Sequence, residues 1–385
     1  MRNMKNIKKQ VVQYSFLPSK QKLFSFEKLI IMKSSQIIFS EISLRKPSQV
    51  VKLFFIVAFT FSAIGVFNSQ QKDPDYIKLT KISYTEGDID EAYRLLQILE
   101  KKYAENGYIL AERGGWQMYG DNDVNAALVT FSKAIKLLPN DENILTLRGI
   151  AFYRKGLVEK AVEDQKAALL INPERIQFYI KLGGYHYALG DYDSALSVFL
   201  KGVEKHPSQA EIYKEAFAAY AKLKNVDKAE ALFNAGILVQ NMDTGFLRCY
   251  LGNFYMRMQM YKEASEQYLL AYDVPEPHMY PDDYNSAAIS FMKIGNLNKA
   301  LSFINMACEK APSKPEYFTN KADIAMNLKD YETVISAAAK AIVADENNAL
   351  AHMYMAIGYK WGRNDLVKAE WYENKANALD TATKK

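Results

Sequence analysis

The chain has 385 residues, with 49 Lys and Arg against 44 Asp and Glu, 4 His and 2 Cys. Residues 1–52 contain eleven of the basic residues and only two acidic ones, so the remaining 333 residues have a net charge of −4. This mildly acidic remainder lacks the basic surface that nucleic-acid binding requires. The two cysteines, Cys249 and Cys308, exclude a disulfide framework. We expect no nucleic-acid partner and no cofactor.

The N-terminal part contains one long apolar run, LFFIVAFTFSAIGVF, at residues 53–67. As a helix, it would rise about 22 Å, which is short of the roughly 30 Å hydrocarbon core of a bilayer. Its length suits the apolar region of a secretory signal peptide, with cleavage expected after Gly65 or Ser69. No cysteine directly follows the run, so a lipid anchor is not expected.

The basic segment 1–50 is long for a signal peptide, and three interpretations are open. Translation starts later, at Met32 or Val51, and residues 51–70 direct export. Alternatively, the run 53–67 remains as a membrane anchor with a basic cytosolic tail, as the positive-inside rule orients it. The third interpretation is a mitochondrial presequence, although most of the cations are Lys rather than Arg. The first two interpretations place the rest of the chain outside the cytosol. It would be either in the periplasm or cell envelope after export, or anchored in the inner membrane.

A sequence period of 34 residues organises the rest of the chain. Residues 142–175 and 176–209 align without a gap, and Gly149 falls opposite Gly183. A fixed period of this length that ends in proline is typical of a helix-turn-helix repeat array. The period predicts nine units: 73–106, 108–141, 142–175, 176–209, 210–243, 245–278, 281–314, 315–348 and 349–382.

Each unit is predicted to contain two antiparallel helices of about 14 residues, because apolar residues recur at helical spacing. Gly183 and Ala195 are small enough for the two helices to approach closely. Gly190 and Gly295 fit the turns after a helix C-terminus, where glycine permits a positive φ. Pro207 cannot continue a helix and therefore closes its unit. Such hairpins bury their apolar faces only by stacking, so the fold class predicted is all-α.

These positions resemble the tetratricopeptide repeat family, which has small residues at positions 8, 20 and 27 of each unit and proline at position 32. The resemblance covers residues 73–382. The departures are Thr80 at position 8 of the first unit, Val334 at position 20 of the eighth, and an extra residue in the turn of the ninth. The resemblance implies an α-solenoid, a right-handed superhelix of antiparallel helix-turn-helix repeats.

The resemblance also implies that the first helix of each unit lines a concave groove that binds a protein or peptide segment. Its inward-facing positions are aromatic or aliphatic in the second to fourth units and basic in the middle of the array. They are Trp116, Tyr119, Ile150, Tyr153, Arg154, Ile180, Tyr187, Lys214, Lys222, Asn253, Met256, Arg257, Met292 and Lys293. Alternatively, part of this surface packs on neighbouring helices. The Lys and Asn set with which some family members clamp peptide C-termini is not found.

The period is interrupted at residues 273–283, DVPEPHMYPDD, which contain three prolines and two extra residues, Met279 and Tyr280. The interruption is either a longer loop or a bend that builds a contact surface of its own.

The sequence contains no HExxH, GxSxG, GxxxxGK[ST] or GxGxxG motif. The four histidines, at 186, 206, 278 and 352, lie in separate units and have no partner at metal-ligand spacing. We therefore expect no metal site and no enzymatic activity. The predicted function is a protein–protein interaction scaffold. The alternative is a structural subunit, associated with the membrane through residues 53–67, that docks into a larger assembly through its convex face or loops.

Overall fold

The computed structural model describes residues 89–274 and 277–383, and all seventeen regular elements within these ranges are α-helices. They are α1 (Ile89–Lys102), α2 (Gly107–Tyr119), α3 (Val124–Leu137), α4 (Glu142–Arg154), α5 (Val158–Ile171), α6 (Ile176–Ala188), α7 (Tyr192–Lys205), α8 (Ala210–Leu223), α9 (Val226–Gly236), α10 (Thr244–Arg257), α11 (Tyr261–Tyr272), α12 (Pro281–Lys293), α13 (Leu297–Lys310), α14 (Pro315–Asn327), α15 (Tyr331–Ala344), α16 (Ala349–Gly362) and α17 (Leu366–Thr383).

The predictions for residues 1–50 and 51–70, and for the start of the first repeat, lie outside the described ranges. No helix within those ranges is both long enough and apolar enough to cross a bilayer. The contacts divide the chain after Leu95, and the packing described below is that of the second unit, Leu96–Lys385.

The even-numbered helices α2 to α16 are called the first helices, and the odd-numbered helices the second helices. Each first helix packs against the second helix that follows it, and each second helix from α3 to α15 packs against the next first helix. The predicted all-α solenoid is confirmed by this stacking. Helices α4, α6, α8, α12, α14 and α16 begin at the first residues of predicted repeats, and α10 begins one residue early.

Side-chain caps fix many of these helix starts. Asp141 accepts hydrogen bonds from the backbone N–H groups of Asn143 and Ile144, both at 3.0 Å, at the start of α4. At the start of α7, Asp191 accepts one from Ser194 at 3.1 Å. Such caps satisfy N–H groups that have no partner within the helix. The polar residues in the turns therefore set where the helices begin.

The turn between the two helices of a repeat has a left-handed residue at the fifteenth position of each unit from 108–141 to 315–348, and one residue later, at Asn364, in the last unit. Gly190 and Gly295 have φ values of 78° and 80°, as predicted. The same conformation occurs at Lys224 and Lys329, with φ values of 54° and 59°. Left-handed backbone costs a residue with a side chain roughly 1–2 kcal/mol, so the array tolerates local strain where glycine is absent.

Small residues let the two helices of a repeat approach closely, but Gly183 faces the ring of Phe199 rather than Ala195. A Cβ atom on Gly183 would lie 2.3 Å from Cε1 of Phe199, whose ring is buried. Ala195 is also fully buried, one turn earlier in the same second helix. In the preceding repeat, a Cβ on Gly149 would lie 3.4 Å from the carbonyl oxygen of Ala161. In these two repeats, the first helix therefore contacts either an aromatic ring or the backbone of the second helix.

The repeat at 210–243 departs from the regular pattern. Its second helix, α9, has 11 residues and is followed by turns up to Asn241. Helix α9 makes fewer contacts with α8 and α10 than other second helices make with their neighbours, whereas α8 and α10 approach each other closely.

The interruption at 273–283 is packed against the array where the structure describes it. Met279 is buried in the core, at 7% exposure. The Tyr280 ring stacks on Phe246 at the start of α10, with centroids 4.9 Å apart. Nδ1 of His278 lies 2.6 Å from Oδ2 of Asp243. The two extra residues therefore hold this loop on the N-terminal end of α10.

Candidate functional site

The first helices are closer to one another than the second helices are. Helix α2 approaches α4, and each first helix from α6 to α14 approaches the next. No pair of second helices between Leu96 and Thr383 does so to this extent. In a stacked array, the more closely spaced layer lies on the inside of the curve, where repeat proteins have their concave binding surfaces.

A half-open cavity of about 490 Å³ lies on three successive first helices, α6, α8 and α10. It brings together Tyr187, Lys214, Asn253 and Arg257, which the sequence places in the groove from three separate repeats. The remaining lining residues are Gly184, Glu215, Phe217, Ala218, Tyr250, Phe254 and Met256.

The floor of this cavity belongs to the hydrophobic core. Phe217 and Phe254 are each 1% exposed, and their ring centroids are 6.3 Å apart. The half-buried Tyr187 forms one wall, where its ring meets the edge of Tyr192 at 5.0 Å. A rigid apolar floor below a polar rim is the usual composition of a ligand site. Phe217 and Phe254 are absent from the predicted groove positions because they occupy core positions of the repeat.

Asn253 takes part in a buried hydrogen-bond network. Its Oδ1 accepts from the Tyr268 hydroxyl at 2.8 Å, and its Nδ2 donates to Oδ1 of Asp283 at 3.1 Å. The other Asp283 oxygen accepts from the backbone N–H of Tyr280 at 2.9 Å. Burial raises the pKa of the Asp283 carboxyl. Asn253 therefore joins α10, α11 and α12 and positions the cavity wall.

The predicted aromatic residues of the second to fourth repeats lie on neighbouring first helices. Tyr153 is 45% exposed, and its ring centroid lies 5.2 Å from that of the buried Tyr185 on the next first helix. Trp116 and Tyr119 are half-buried on α2. Ile150 and Ile180 are likewise half-buried, and both pack against core clusters. Tyr153 is therefore the most exposed of this aromatic group.

Arg154 is engaged within the array. Its guanidinium donates to the carbonyl oxygen of Met118 at 2.8 Å and to Oδ1 of Asn122 at 3.1 Å. It also lies 5.4 Å from the ring centroid of Tyr119. These contacts cap the C-terminal end of α2. Arg154 therefore packs on a neighbouring helix, as the alternative interpretation of the groove positions predicts.

Three predicted cations remain exposed in the last turns of successive first helices. They are Lys222 on α8, Arg257 on α10 and Lys293 on α12, and none has a carboxylate within 4.0 Å in the part of the chain described. Lys214 differs, because its ammonium lies 4.0 Å from Oε1 of Glu215. We call Lys222, Arg257 and Lys293 the cation row.

Two of the histidines have acidic neighbours in the folded chain. Nδ1 of His186 lies 3.5 Å from Asp191, and His278 contacts Asp243. Each pair is isolated, and the described ranges contain no cluster of three His, Cys, Asp or Glu side chains that could hold a metal.

Comparison with known proteins identifies similar repeats. A sequence profile of the tetratricopeptide repeat matches residues 180–240. Over 97 residues the chain is 36% identical to the small glutamine-rich tetratricopeptide repeat-containing protein 2 of Mycosarcoma maydis, which covers 25% of this chain and 27% of that protein. Over 322 residues it is 24% identical to a TPR repeat-containing protein of Methanocaldococcus jannaschii, which covers 78% of this chain and 55% of that protein.

The fold is shared with a larger solved structure. The yeast Tom70 structure matches with a TM-score of 0.52 and 13% identity, covering 95% of this chain and 76% of that one. The chain spans less than two thirds of its curated relatives, for example 33% of the mouse tetratricopeptide repeat protein 16. At these identities the structural likeness concerns the fold alone.

Proposed function

The chain belongs to the tetratricopeptide repeat family, and on that premise we propose that it binds a protein or peptide segment in the groove lined by its first helices. Proteins of this family are generally non-catalytic scaffolds that bind other proteins. The observation that carries the proposal is the cavity on α6, α8 and α10, where side chains from three repeats converge.

The cavity has an apolar floor and a polar rim, which are the two components of a polypeptide-binding site. Its apolar floor is already formed, so burying a ligand side chain there needs no opening of the core. Its rim carries Tyr187 and the exposed Arg257, whose guanidinium has no carboxylate within 4.0 Å in the described ranges. Aromatic and Arg side chains in such positions carry most of the binding free energy at protein interfaces.

The test is affinity capture with the full chain from its source, compared between wild type and a Tyr153→Ala, Tyr187→Ala double variant. We expect partners retained by wild type to be lost from the double variant, provided that its circular dichroism is unchanged. A matched control is Leu170→Ala, Leu238→Ala, which removes exposed apolar side chains outside the first helices. Identical partners on all three proteins would refute groove binding.

A second candidate function is docking into a larger assembly through the convex face. It is favoured by exposed apolar side chains on or beside second helices: Leu170 at 86%, Leu238 at 84% and Val343 at 89%. Loss of partners from the Leu170→Ala, Leu238→Ala protein, with the groove variant unaffected, would establish this alternative.

We further propose that the array works outside the cytosol, either after export to the cell envelope or anchored by residues 53–67. The apolar run and the preceding basic segment support this location. Mass spectrometry of the mature protein tests it. An N-terminus near Val66 or Gln70 supports export, retention of residues 53–67 in a membrane fraction supports the anchor, and an intact chain in the cytosol contradicts both.

A further inference from the structure

We propose, on the basis of the groove function above, that the cation row binds an extended acidic peptide with one carboxylate at every third residue. Lys222, Arg257 and Lys293 occupy equivalent positions in their repeats, and the spacing between first helices sets the distance between them.

The three cations occupy equivalent places on adjacent helices. Each lies in the last turn of its first helix; α8 packs closely on α10, and α10 approaches α12 less closely. Side chains bridge both helix pairs: Phe217 lies beside Phe254, and Asn253 donates to Asp283. Helices packed in this way have axes about 8–10 Å apart. Helix axes at this spacing would place neighbouring cations of the row about that far apart across the groove.

This repeat distance selects the conformation of the ligand. A polyproline II segment rises about 3.1 Å per residue with three residues per turn, so equivalent side chains recur about every 9 Å on one face. In a β-strand, side chains on one face recur about every 6.6–6.8 Å, and an α-helix turns once in about 5.4 Å. Among these repeats, the three-residue one lies nearest to the helix spacing, so successive carboxylates would face successive cations of the row.

No carboxylate lies within 4.0 Å of the cations of the row in the described ranges, although the Lys222 ammonium lies 5.9 Å from the Tyr192 ring centroid. Arg148 and Arg154, by contrast, are bound within the array. The guanidinium of Arg148 forms hydrogen bonds of 2.8 and 2.7 Å to the carboxylate of Asp164, and Arg154 donates to Met118 and Asn122. A helix C-terminus favours a nearby cation, but it supplies no discrete carboxylate, and each cation of the row remains exposed.

The row ends at α8 on one side and at α12 on the other, and this sets the length of the ligand. The corresponding residues on the flanking first helices are Ala188 on α6 and Asn327 on α14, neither of which is charged. Three cations therefore match acids at positions 1, 4 and 7 of a seven-residue segment. Next to the row, the half-buried Met256 and Met292 offer polarizable surface to the intervening small or apolar ligand residues.

The experiment measures fluorescence anisotropy of labelled peptides with the full chain. The probe is Asp-Pro-Ala-Asp-Pro-Ala-Asp, flanked by neutral residues, and the matched peptide has the same composition with its three acids contiguous. We expect the spaced peptide to bind about tenfold more tightly, the factor that about 1.4 kcal/mol from three exposed ion pairs provides. Its affinity should fall as salt is raised. Equal affinities, or no binding of either peptide, would overturn the proposal.

The matched protein variants locate the contact. In the triple variant Lys222→Gln, Arg257→Gln, Lys293→Gln the preference for the spaced peptide should disappear. The control removes the same charge from exposed lysines on second helices, Lys201→Gln, Lys228→Gln, Lys262→Gln, and should keep the preference. A preference that survives the first triple variant would also overturn the inference.

Failure of the spacing test and failure of the groove proposal give different results. If the Tyr153→Ala, Tyr187→Ala variant loses its captured partners while the two peptides bind alike, the groove function stands and only the period-three ligand is rejected. If that variant keeps its partners, the groove proposal itself is rejected.

Discussion

Asn253 and Asp283 lie on successive first helices, and the Asn253 amide donates a 3.1 Å hydrogen bond to the Asp283 carboxylate. The Tyr268 hydroxyl donates to the other end of the same amide. One side chain of α10 thereby holds the second helix of its own repeat and the first helix of the next. Because Asp283 also accepts from Tyr280, the same network fixes the end of the 273–283 loop.

Replacing Asn253 by Leu should destabilise the array by about 1–3 kcal/mol or more, because the Asp283 carboxylate and the Tyr268 hydroxyl would each lose a partner while buried. The measurement is the urea midpoint of the full chain. Asn285→Leu provides a comparison, since the Asn285 side chain only accepts one hydrogen bond from Asn320, at a half-buried site. A smaller shift is expected there, and equal shifts would contradict the special role of Asn253.

The Asp283 carboxyl should make stability depend on pH. Burial raises its pKa above the ordinary value of 3.8, so the folded chain retains this proton to higher pH than the unfolded chain. The associated stability is present below pH 3.8 and is lost as pH rises through the folded pKa. In Asp283→Asn that loss is absent, because an amide does not titrate in this range. Asn253 can turn its amide over to keep both hydrogen bonds in the variant. Urea midpoints measured at several pH values should show the stability of Asp283→Asn rising relative to that of wild type as pH rises. A stability difference that is constant with pH would contradict this.

The adjacent glycines Gly183 and Gly184 should respond oppositely to alanine. At Gly183 the added Cβ would meet the Phe199 ring, and overpacking of this kind costs about 1–3 kcal/mol. At Gly184 no atom lies within 4 Å of the added Cβ. There alanine should stabilise helix α6 by about 0.5–1 kcal/mol through its higher helix propensity. Thermal unfolding of the two variants checks the pair, and a shift in the same direction would show that the contact with Phe199 is wrong.

The loop residues Met279 and Tyr280 should contribute unequally to stability. Met279→Ala should cost about 2–5 kcal/mol, the range for truncating a buried methionine. Tyr280 is 46% exposed and stacks on Phe246 from outside, so Tyr280→Ala should cost less. Urea unfolding separates the two, and a neutral Met279→Ala would place this residue at the surface.

The helices and their order can be predicted from the sequence because each repeat encodes its own helix-turn-helix structure. The period places first-helix starts at Glu142, Ile176 and Ala210, where α4, α6 and α8 begin. Recurring small residues at equivalent positions mark the contacts within each pair, as Ala161 and Ala195 show by being fully buried. These features are local, so propensity, capping and packing agree without knowledge of distant contacts.

The candidate site is less predictable, since its geometry depends on contacts between repeats. The sequence indicates that Asn253 and Arg154 face the groove, but their hydrogen-bond partners lie about one repeat away, and only the stacking geometry selects them. Likewise, nothing in residues 273–283 indicates that Met279 enters the core. The short α9 is also unexpected, because its repeat keeps the small residues Ala229 and Gly236 of a regular one.

The sparse packing of α9 has a consequence for local opening. Helix α9 makes few contacts with α8 and α10, whereas α8 and α10 pack closely on each other and join the two sides of the array directly. Elements with little packing open locally while the rest of the fold stays intact. The amide hydrogens of α9 should therefore exchange with solvent faster than those of α7 and α11, and equal protection of the three helices would contradict this.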